Sequence, residues 1–403
     1  MSITTRFVDL PAILRQPFAV DNDTIGGIVG TGKAKSLVLL GLDGQVRYRF
    51  ELSEDFRFPV GLHNGVLWLA FEDRLERRTF SGDTISDLSF QFESDGRRIG
   101  AATFFNDELL VALERHKAGS AHGLSGELYR MRLNGEIVWG STLLVDRIEY
   151  SGCVEATARN GFQPRPKPAW KPRTWITDTR APILVSGNHV FASWLEFPRS
   201  GIGKHYAVRL DDGHPVAITR PIPISWSCSS RDGTALVSAD GYGACETVRL
   251  DPALYGTETR NLRWKTHGRF IQLPDNELYC VEMFNGSSRE AHVVRLLPDG
   301  STEQIGDGLP GYHTSQPAEL SGNRFCFWRG NKIRVCHPSS NSLVSVATTD
   351  LNELAWAEAV PVASERVAIL AHQPAHGSKR AHQVMVVVDA GPGQDCSGEN
   401  VRS

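Results

Sequence analysis

The residues best suited to molecular recognition lie in one segment, 159–175, which reads RNGFQPRPKPAWKPRTW. It holds four prolines, five basic residues and three aromatic residues, and no acidic residue. Prolines at this spacing favour an extended, polyproline-like path that loses little conformational entropy on binding. Arginine and tryptophan are the side chains that most often anchor interfaces. The candidate partner-binding residues are Arg165, Lys167, Trp170, Lys171, Arg173 and Trp175.

Two interpretations of this segment stay open. In the first, it is a protruding loop that binds a protein partner or an anionic ligand. In the second, it is a long connection whose tryptophans cover the protein's own surface. The formal net charge of −3 gives no global attraction to nucleic acid or to a membrane. A protein partner is therefore expected, and nucleic acid and membrane are not.

The sequence holds one near match to a phosphate-binding loop, over 27–34. It departs from that motif at Ala34, which has no hydroxyl group for a magnesium ion. The residues that follow have the pattern of a short strand, whereas phosphate binding needs a helix N-terminus there. The stretch 30–35 is therefore predicted to be a hairpin turn. The sequence contains neither a G-x-S-x-G nor an H-E-x-x-H motif.

Histidines occur in two loose groups and in two pairs with tyrosine. Neutral imidazoles can bind a transition metal, but Pro374 and Gly377 indicate a loop without fixed ligand geometry. No metal site and no cofactor are expected. The histidine–tyrosine pairs are candidate acid–base groups for a sugar or other polar ligand. The groups and pairs are His372, His376 and His382; His116 and His122; Tyr312 and His313; and His205 and Tyr206.

Seven cysteines are scattered without a C-x-x-C pair, so they predict neither disulfides nor a zinc site. Cys280 and Cys326 lie in strand-like runs and are expected to be buried thiols. The N-terminal residues 1–9 lack an apolar core of signal-peptide length, and no apolar run approaches the roughly 20 residues of a membrane span. The expected location is the cytoplasm.

Eleven Asp-Gly or Asn-Gly dipeptides, many between runs of alternating apolar residues, predict an all-β chain built from hairpins. A similar hairpin recurs eight times, mostly at intervals of about 40 to 50 residues, the length of a four-stranded propeller blade. One longer interval, from Gly135 to Gly213, holds an insertion over about 150–181. We predict a single β-propeller over 1–392 and a polar tail over 393–403.

The last repeat has no strand after its turn at Gly391. The N-terminal segment 4–10 is predicted to supply that outer strand and so close the ring, which removes open sheet edges. Eight four-stranded blades follow. Seven remain an alternative, because the first repeat lacks a clear innermost strand and would then merge with the last.

The run Leu133–Trp139, with a charged residue, two apolar residues and tryptophan after the turn glycine, resembles the repeat of the quinoprotein-like (PQQ-like) β-propellers. Residues 42–48 are a looser match. The resemblance implies eight blades and a bacterial protein. The quinone-dependent dehydrogenases of that family carry an adjacent cysteine pair, which this sequence lacks. Many other relatives serve as assembly platforms without a cofactor.

These observations favour a non-catalytic interaction platform, or scaffold, in a cytoplasmic, bacterial multiprotein complex. Enzyme activity stays open as the alternative. It would be a lyase or hydrolase type of reaction on a sugar or small polar ligand, at the central funnel of the propeller. Its residues would come from separate blades, so sequence spacing does not reveal them.

Overall fold

In the computed structural model, the regular elements of the described residues are β-strands, apart from a short 3₁₀ turn at Pro338–Ser340. The described residues are 3–10, 12–31, 34–89, 97–115, 124–145, 175–176, 183–197, 202–218, 222–223, 226–229, 233–241, 244–252, 263–266, 268–282, 291–311, 313–349, 351, 356–373 and 382–391. Within these residues, no helix has the length and apolar character needed to cross a membrane.

The chain forms two compact units. Unit 1 comprises residues 1–54, 268–297 and 301–403, and unit 2 comprises residues 55–267 and 298–300. Each unit contains four antiparallel β-sheets, which we number 1 to 8 in chain order. The eight sheets confirm the predicted all-β architecture with eight repeats, and the alternative of seven is wrong. The first repeat does have its innermost strand, Arg15–Asp21.

Unit 1 holds sheets 1, 6, 7 and 8. Sheet 1 consists of β2 (Arg15–Asp21), β3 (Thr24–Thr31), β4 (Ala34–Gly41) and β5 (Val46–Leu52). Sheet 6 consists of β24 (Gly268–Gln272), β25 (Leu278–Glu282), β26 (Ala291–Leu296) and β27 (Thr302–Leu309). Sheet 7 consists of β28 (Ala318–Leu320), β29 (Arg324–Arg329), β30 (Lys332–His337) and β31 (Ser342–Thr348). Sheet 8 consists of β32 (Trp356–Ala363), β33 (Arg366–Gln373), β34 (His382–Asp389) and β1 (Thr4–Asp9).

Unit 2 holds sheets 2 to 5. Sheet 2 consists of β6 (Phe56–His63), β7 (Val66–Phe71), β8 (Arg74–Arg78) and β9 (Thr84–Ser89). Sheet 3 consists of β10 (Arg97–Phe105), β11 (Glu108–Arg115), β12 (Leu124–Arg132) and β13 (Ile137–Val145). Sheet 4 consists of β14 (Trp175–Ile176), β15 (Ile183–Ser186), β16 (His189–Phe197), β17 (Ile202–Arg209), β18 (Pro215–Ile218) and β19 (Ile222–Pro223). Sheet 5 consists of β20 (Trp226–Ser229), β21 (Ala235–Gly241), β22 (Ala244–Leu250) and β23 (Arg263–Trp264).

Apolar residues from neighbouring sheets pack face to face and form the core of unit 1. One cluster joins sheets 7 and 8 around Trp328 and Val386, and another joins sheets 1 and 8 around Ile25 and Leu370. The middle strands are buried on both faces, so their sequences read as continuous apolar runs. Cys280, Cys326 and Cys336 are buried free thiols there, as predicted for the first two. Burial raises the pKa of Cys326 and of Cys336 to about 12.

The N-terminal strand completes the last sheet of unit 1. β1 pairs antiparallel with β34, from Thr4 opposite Asp389 to Asp9 opposite Val384, which confirms the prediction for residues 4–10. A buried glutamine then links β34 to the chain that leads into β2. The backbone N–H of Leu14 donates to Oε1 of Gln383 at 2.6 Å, and Nε2 of Gln383 donates to the Leu14 carbonyl oxygen at 3.0 Å.

The predicted hairpin turns are also confirmed. Gly44, Gly135 and Gly213 have positive φ angles of 87°, 92° and 70°, which glycine adopts without the steric cost of a β-carbon. Strands β3 and β4 form a hairpin in which Gly30 is opposite Lys35. The phosphate-loop-like stretch is therefore a turn between strands, as its sequence context indicates.

Candidate functional site

Basic and aromatic side chains meet where strands of four sheets of unit 1 begin or end. His313 lies in the connection between β27 and β28, and Trp356 is the first residue of β32. Arg329 is the last residue of β29, and Arg269 is the second residue of β24. We name this region the Trp356 site; it consists of Trp356, His313, His372, Arg15, Arg269 and Arg329.

Arg329 fixes the base of the Trp356 site. It is only 1% exposed. Its Nη1 donates to the backbone carbonyl oxygen of Glu282, and its Nη2 donates to the carbonyl oxygen of Gly311 at 2.5 Å. Burial lowers the pKa of Arg329 to about 10, so the guanidinium stays charged at neutral pH. One side chain thus ties the end of β25 in sheet 6 to the connection that carries His313.

Further hydrogen bonds hold this connection in place. The N–H of Ser315 donates to the carbonyl oxygen of Trp328 at 2.9 Å, and the N–H of Trp328 donates to Oγ of Ser315 at 2.9 Å. The side-chain amide of Gln316 donates to the carbonyl oxygen of Phe270 at 2.6 Å. The backbone on both sides of the connection is therefore anchored, and His313 has a defined position next to sheets 6 and 7.

Trp356 is the exposed part of the site. Its side chain is 57% exposed, and its ring stacks on that of His313 with centroids 6.0 Å apart and planes 19° apart. Burial, followed by the charges of Arg329 and Arg269, lowers the pKa of His313. Since an unperturbed histidine titrates near pH 6.5, His313 is neutral at pH 7.

A second imidazole lies beside Trp356. His372 is directly opposite Trp356 in the pairing of β32 with β33. It is part of β33, whereas the sequence predicts a loop from this residue onward. Burial and the charge of Arg15 lower the pKa of His372. Arg15 begins β2, is exposed, and lies on a strand that packs against β32.

Two acidic residues lie on the same elements. Glu282 is buried, and its Oε2 accepts a hydrogen bond from the backbone N–H of His292 at 3.0 Å. Glu358 is the third residue of β32 and is half-buried. The charged neighbours that shift the pKa values of the two imidazoles are nevertheless all arginines. The site therefore presents an aromatic surface in a positive local field, which suits an anionic group joined to an apolar one.

Of the sequence-predicted partner-binding residues, the structure describes the backbone of Trp175. Arg165, Lys167, Trp170, Lys171 and Arg173 lie outside the described residues. The backbone of Trp175 begins β14 and pairs with Leu195 of β16 in unit 2. The end of the predicted loop is therefore a strand of sheet 4, and the binding role of the segment stays a prediction.

The predicted histidine and tyrosine candidates have mixed outcomes. Tyr206 is buried in the core between sheets 3 and 4, which removes it as an acid or base for a ligand. His116, His122, His376 and Tyr312 lie outside the described residues. Within the described part of the chain, no three histidine, cysteine, aspartate or glutamate side chains are placed to hold a metal ion.

The sequence interpretation missed Trp356, Arg269 and Arg329. One signal was available for Arg329, because it directly follows the apolar run Phe325–Trp328. A charge at the end of a fully buried strand needs partners, and here they include the backbone carbonyl groups of Glu282 and Gly311. Trp356 carried no comparable signal.

Comparison with known proteins establishes the fold. No family model and no curated protein matches the sequence. Among solved structures, BamB from Moraxella catarrhalis is similar over 96% of this chain and 100% of its own, with 14% identity and a TM-score of 0.52. The quinohemoprotein alcohol dehydrogenase from Comamonas testosteroni is similar over 97% and 77%, with 10% identity and a TM-score of 0.56. A europium-containing methanol dehydrogenase is similar over 96% and 93%, with 10% identity and a TM-score of 0.54.

These neighbours are PQQ-like β-propellers, which confirms the repeat-level resemblance drawn from Leu133–Trp139. The eight sheets of this chain are accordingly those of an eight-bladed β-propeller. At 10 to 14% identity the likeness extends to the fold alone. Activity and partners therefore have to be argued from the residues of this chain.

Proposed function

We propose that this protein is a non-catalytic β-propeller that binds a protein partner and serves as a platform in a cytoplasmic, bacterial multiprotein complex. The observation that carries the proposal is the exposure of Trp356 on a rigid support. A tryptophan that is more than half exposed, stacked on His313, offers a large apolar contact area at a small cost in conformational entropy.

The hydrogen bonds of the charged groups favour binding over catalysis. The guanidinium of Arg329 holds two backbone carbonyl groups, and the carboxylate of Glu282 accepts a backbone N–H. Groups with these partners fix the shape and the electrostatic field of the surface. A general base or a nucleophile must instead reach the substrate itself.

The insertion in unit 2 is the second part of the proposal. Its basic and aromatic residues have the composition of an interface anchor, and its last residue is held by β16. A contact region in each unit suits a platform protein. Each region is tested by its own variant.

The proposed location and source are tested separately from partner binding. BamB from Moraxella catarrhalis is a bacterial protein with this fold. Fractionation of the native cells, with immunodetection of the untagged protein, tests the cytoplasmic location directly.

Replacing Trp356 with alanine is expected to reduce capture of the partner about tenfold or more, since central aromatic anchors typically contribute about 2 kcal/mol or more to binding. The measurement is affinity capture of the tagged, full-length protein from native cells, with quantitative mass spectrometry. Ile85→Ala is the matched control, because Ile85 is also about half exposed but lies on β9 in unit 2. Failure of the wild-type protein to retain any stoichiometric partner would contradict the proposed function.

Deleting residues 159–173 is expected to abolish one specific partner and leave the thermal unfolding midpoint within about 2 °C of wild type. The deletion spares Trp175, because that residue pairs with β16. A variant with serine at Arg165, Lys167, Lys171 and Arg173 keeps the segment length and isolates the role of charge. A large fall in the midpoint of the deletion variant would favour the interpretation that the segment covers the protein's own surface.

One observation favours the alternative of an enzyme for a small polar ligand. The neutral imidazole of His313 lies in the field of two guanidinium groups, an arrangement that can accept a proton next to a bound anion. A thermal-shift screen with anionic oligosaccharides distinguishes the two functions. Stabilisation by such a sugar, together with its turnover by the wild type and not by His313→Gln, would support the enzyme.

A further inference from the structure

The groups that a ligand would touch at the Trp356 site form a short row in unit 1. Trp356 is stacked on His313, lies opposite His372 in the strand pairing, and is followed by exposed Arg15 on the adjacent sheet. Arg269 and Arg329, which act on His313, are almost fully buried. The contact surface is therefore largely aromatic, with Arg15 as its exposed charge and the other two arginines inside the protein.

The electrostatics of this row favour a negative ligand. Arg329 and Arg269 act on His313, and Arg15 acts on His372. The acidic residues on the packed elements are Glu282, whose carboxylate accepts a backbone N–H, and Glu358 on β32. An anion placed beside the imidazoles gains from the same positive charges that keep the imidazoles neutral.

The shape and burial of the basic groups distinguish between classes of anion. A nucleic acid is bound by several exposed lysine or arginine side chains along a row of phosphates. Here Arg269 and Arg329 are too deeply buried to reach successive phosphates, and Arg15 is the exposed arginine of the site. One or two carboxylates beside an apolar or proline side chain fit better, because the exposed indole offers a flat apolar surface.

We propose that the Trp356 site binds an acidic, extended segment of a protein partner, with an apolar or proline side chain on Trp356 and carboxylates beside Arg15 and the two imidazoles. This proposal rests on the proposed function and names the chemistry of the partner. It also assigns a role to the buried arginines, which raise the affinity for carboxylates without touching them.

The affinity of the Trp356 site for a carboxylate is expected to depend on pH. A bound carboxylate favours the charged imidazolium, so binding raises the pKa values of His313 and His372. Binding then takes up protons, and affinity rises as the pH falls from 8 towards 5.5. Below about pH 4.3 the glutamates of the ligand become protonated and affinity falls again.

The test uses the full-length protein and a peptide of six Glu-Pro repeats as the probe. The controls are a peptide of six Gln-Pro repeats and a twelve-nucleotide single-stranded oligothymidylate. Binding is measured by fluorescence anisotropy of the labelled probes, and the imidazole resonances are followed by NMR through the pH range. Trp356→Phe is the conservative variant, and thermal unfolding checks that each variant is folded.

We expect the Glu-Pro peptide to bind at least about tenfold more tightly than the Gln-Pro peptide and more tightly at pH 5.5 than at pH 7.5. Trp356→Ala is expected to weaken binding about tenfold, with partial recovery in Trp356→Phe. Arg15→Gln is expected to weaken it about three- to fivefold and to reduce its salt dependence. His372→Gln is expected to make the affinity for the Glu-Pro peptide less dependent on pH.

Three results would overturn the proposal. Equal binding of the two peptides would show that carboxylates are not recognised, and tighter binding of the oligothymidylate would assign the site to nucleic acid. Capture of a cellular partner that is unaffected by Trp356→Ala and Arg15→Gln, but is lost on deleting 159–173, would leave the platform function intact and remove this site from it. Specific peptide binding without any cellular partner would support acidic recognition and contradict the platform.

Discussion

Replacing Gln383 with leucine is expected to lower the free energy of unfolding by about 3 kcal/mol. The Gln383 side chain is 5% exposed and satisfies both backbone groups of Leu14. Leucine has a similar volume but leaves a buried N–H and a buried C=O without partners, and each unpaired group costs about 1 to 3 kcal/mol. Urea titration followed by far-ultraviolet circular dichroism measures the change.

Two further variants show whether the loss arises from the hydrogen bonds. Gln45→Leu makes the same replacement at an exposed turn position of unit 1 and is expected to change stability by less than about 0.5 kcal/mol. Gln383→Glu has nearly the same shape, and in its protonated form it both accepts and donates. Burial raises the pKa of this carboxyl group, so the variant should approach wild-type stability below pH 4.3 and lose stability as the pH rises through the folded pKa. A pH-independent deficit would contradict the pairing.

The hairpins and the pairing of the N-terminal strand could be predicted from the sequence, whereas the hydrogen bonds of Gln383 could not. The hairpins were predictable, because the turn glycines with positive φ lie between runs of alternating apolar residues. The pairing of the N-terminal strand with β34 was predictable as well, because the last repeat lacked an outer strand. The hydrogen bonds that fix the register between Leu14 and Gln383 join residues 369 positions apart, and no local pattern indicates them.

The Trp356 site was beyond prediction for a related reason. Its residues come from the sheet 6–7 connection and from the ends of strands in four different sheets, so their spacing in the sequence carries no information. Arg329 and Arg269 read as ordinary charged residues at strand boundaries. Their effect on His313 appears only when sheets 6 and 7 pack together. The insertion, by contrast, is conspicuous in composition, which drew the sequence interpretation to 159–175.

In unit 2, the tryptophan of the repeat signature, Trp139, stabilises the packing of sheet 3 against sheet 4. Nε1 of Trp139 donates to the carbonyl oxygen of Leu210 at 2.8 Å, and Nη1 of Arg130 donates to the same oxygen at 2.7 Å. The Trp139 ring lies against Gly213, the turn glycine of the next sheet. The tryptophan that ends the repeat Leu133–Trp139 therefore contacts the turn of the following repeat.

Replacing Gly213 with alanine is expected to lower the free energy of unfolding by about 3 kcal/mol or more. A β-carbon at Gly213 would lie 2.5 Å from the Trp139 ring, and the φ of 70° strains any residue with a side chain. The ring must move, which breaks its hydrogen bond to Leu210 and disturbs the packing of sheets 3 and 4. Thermal and urea unfolding measure the loss.

Gly65→Ala separates steric overlap from backbone strain. Gly65 is in the same unit and has a φ of 74°, but a β-carbon there would meet no atom within 4 Å. Gly65→Ala should therefore lower the free energy of unfolding by only about 1 kcal/mol, which is the cost of the left-handed backbone alone. In the Trp139→Ala background, Gly213→Ala should lower the free energy of unfolding by no more than Gly65→Ala does, because the overlapping ring is gone. The effects of Trp139→Ala and Gly213→Ala are therefore coupled. Equal losses at Gly213 and Gly65 in the wild-type background would show that the Trp139 ring does not constrain the turn.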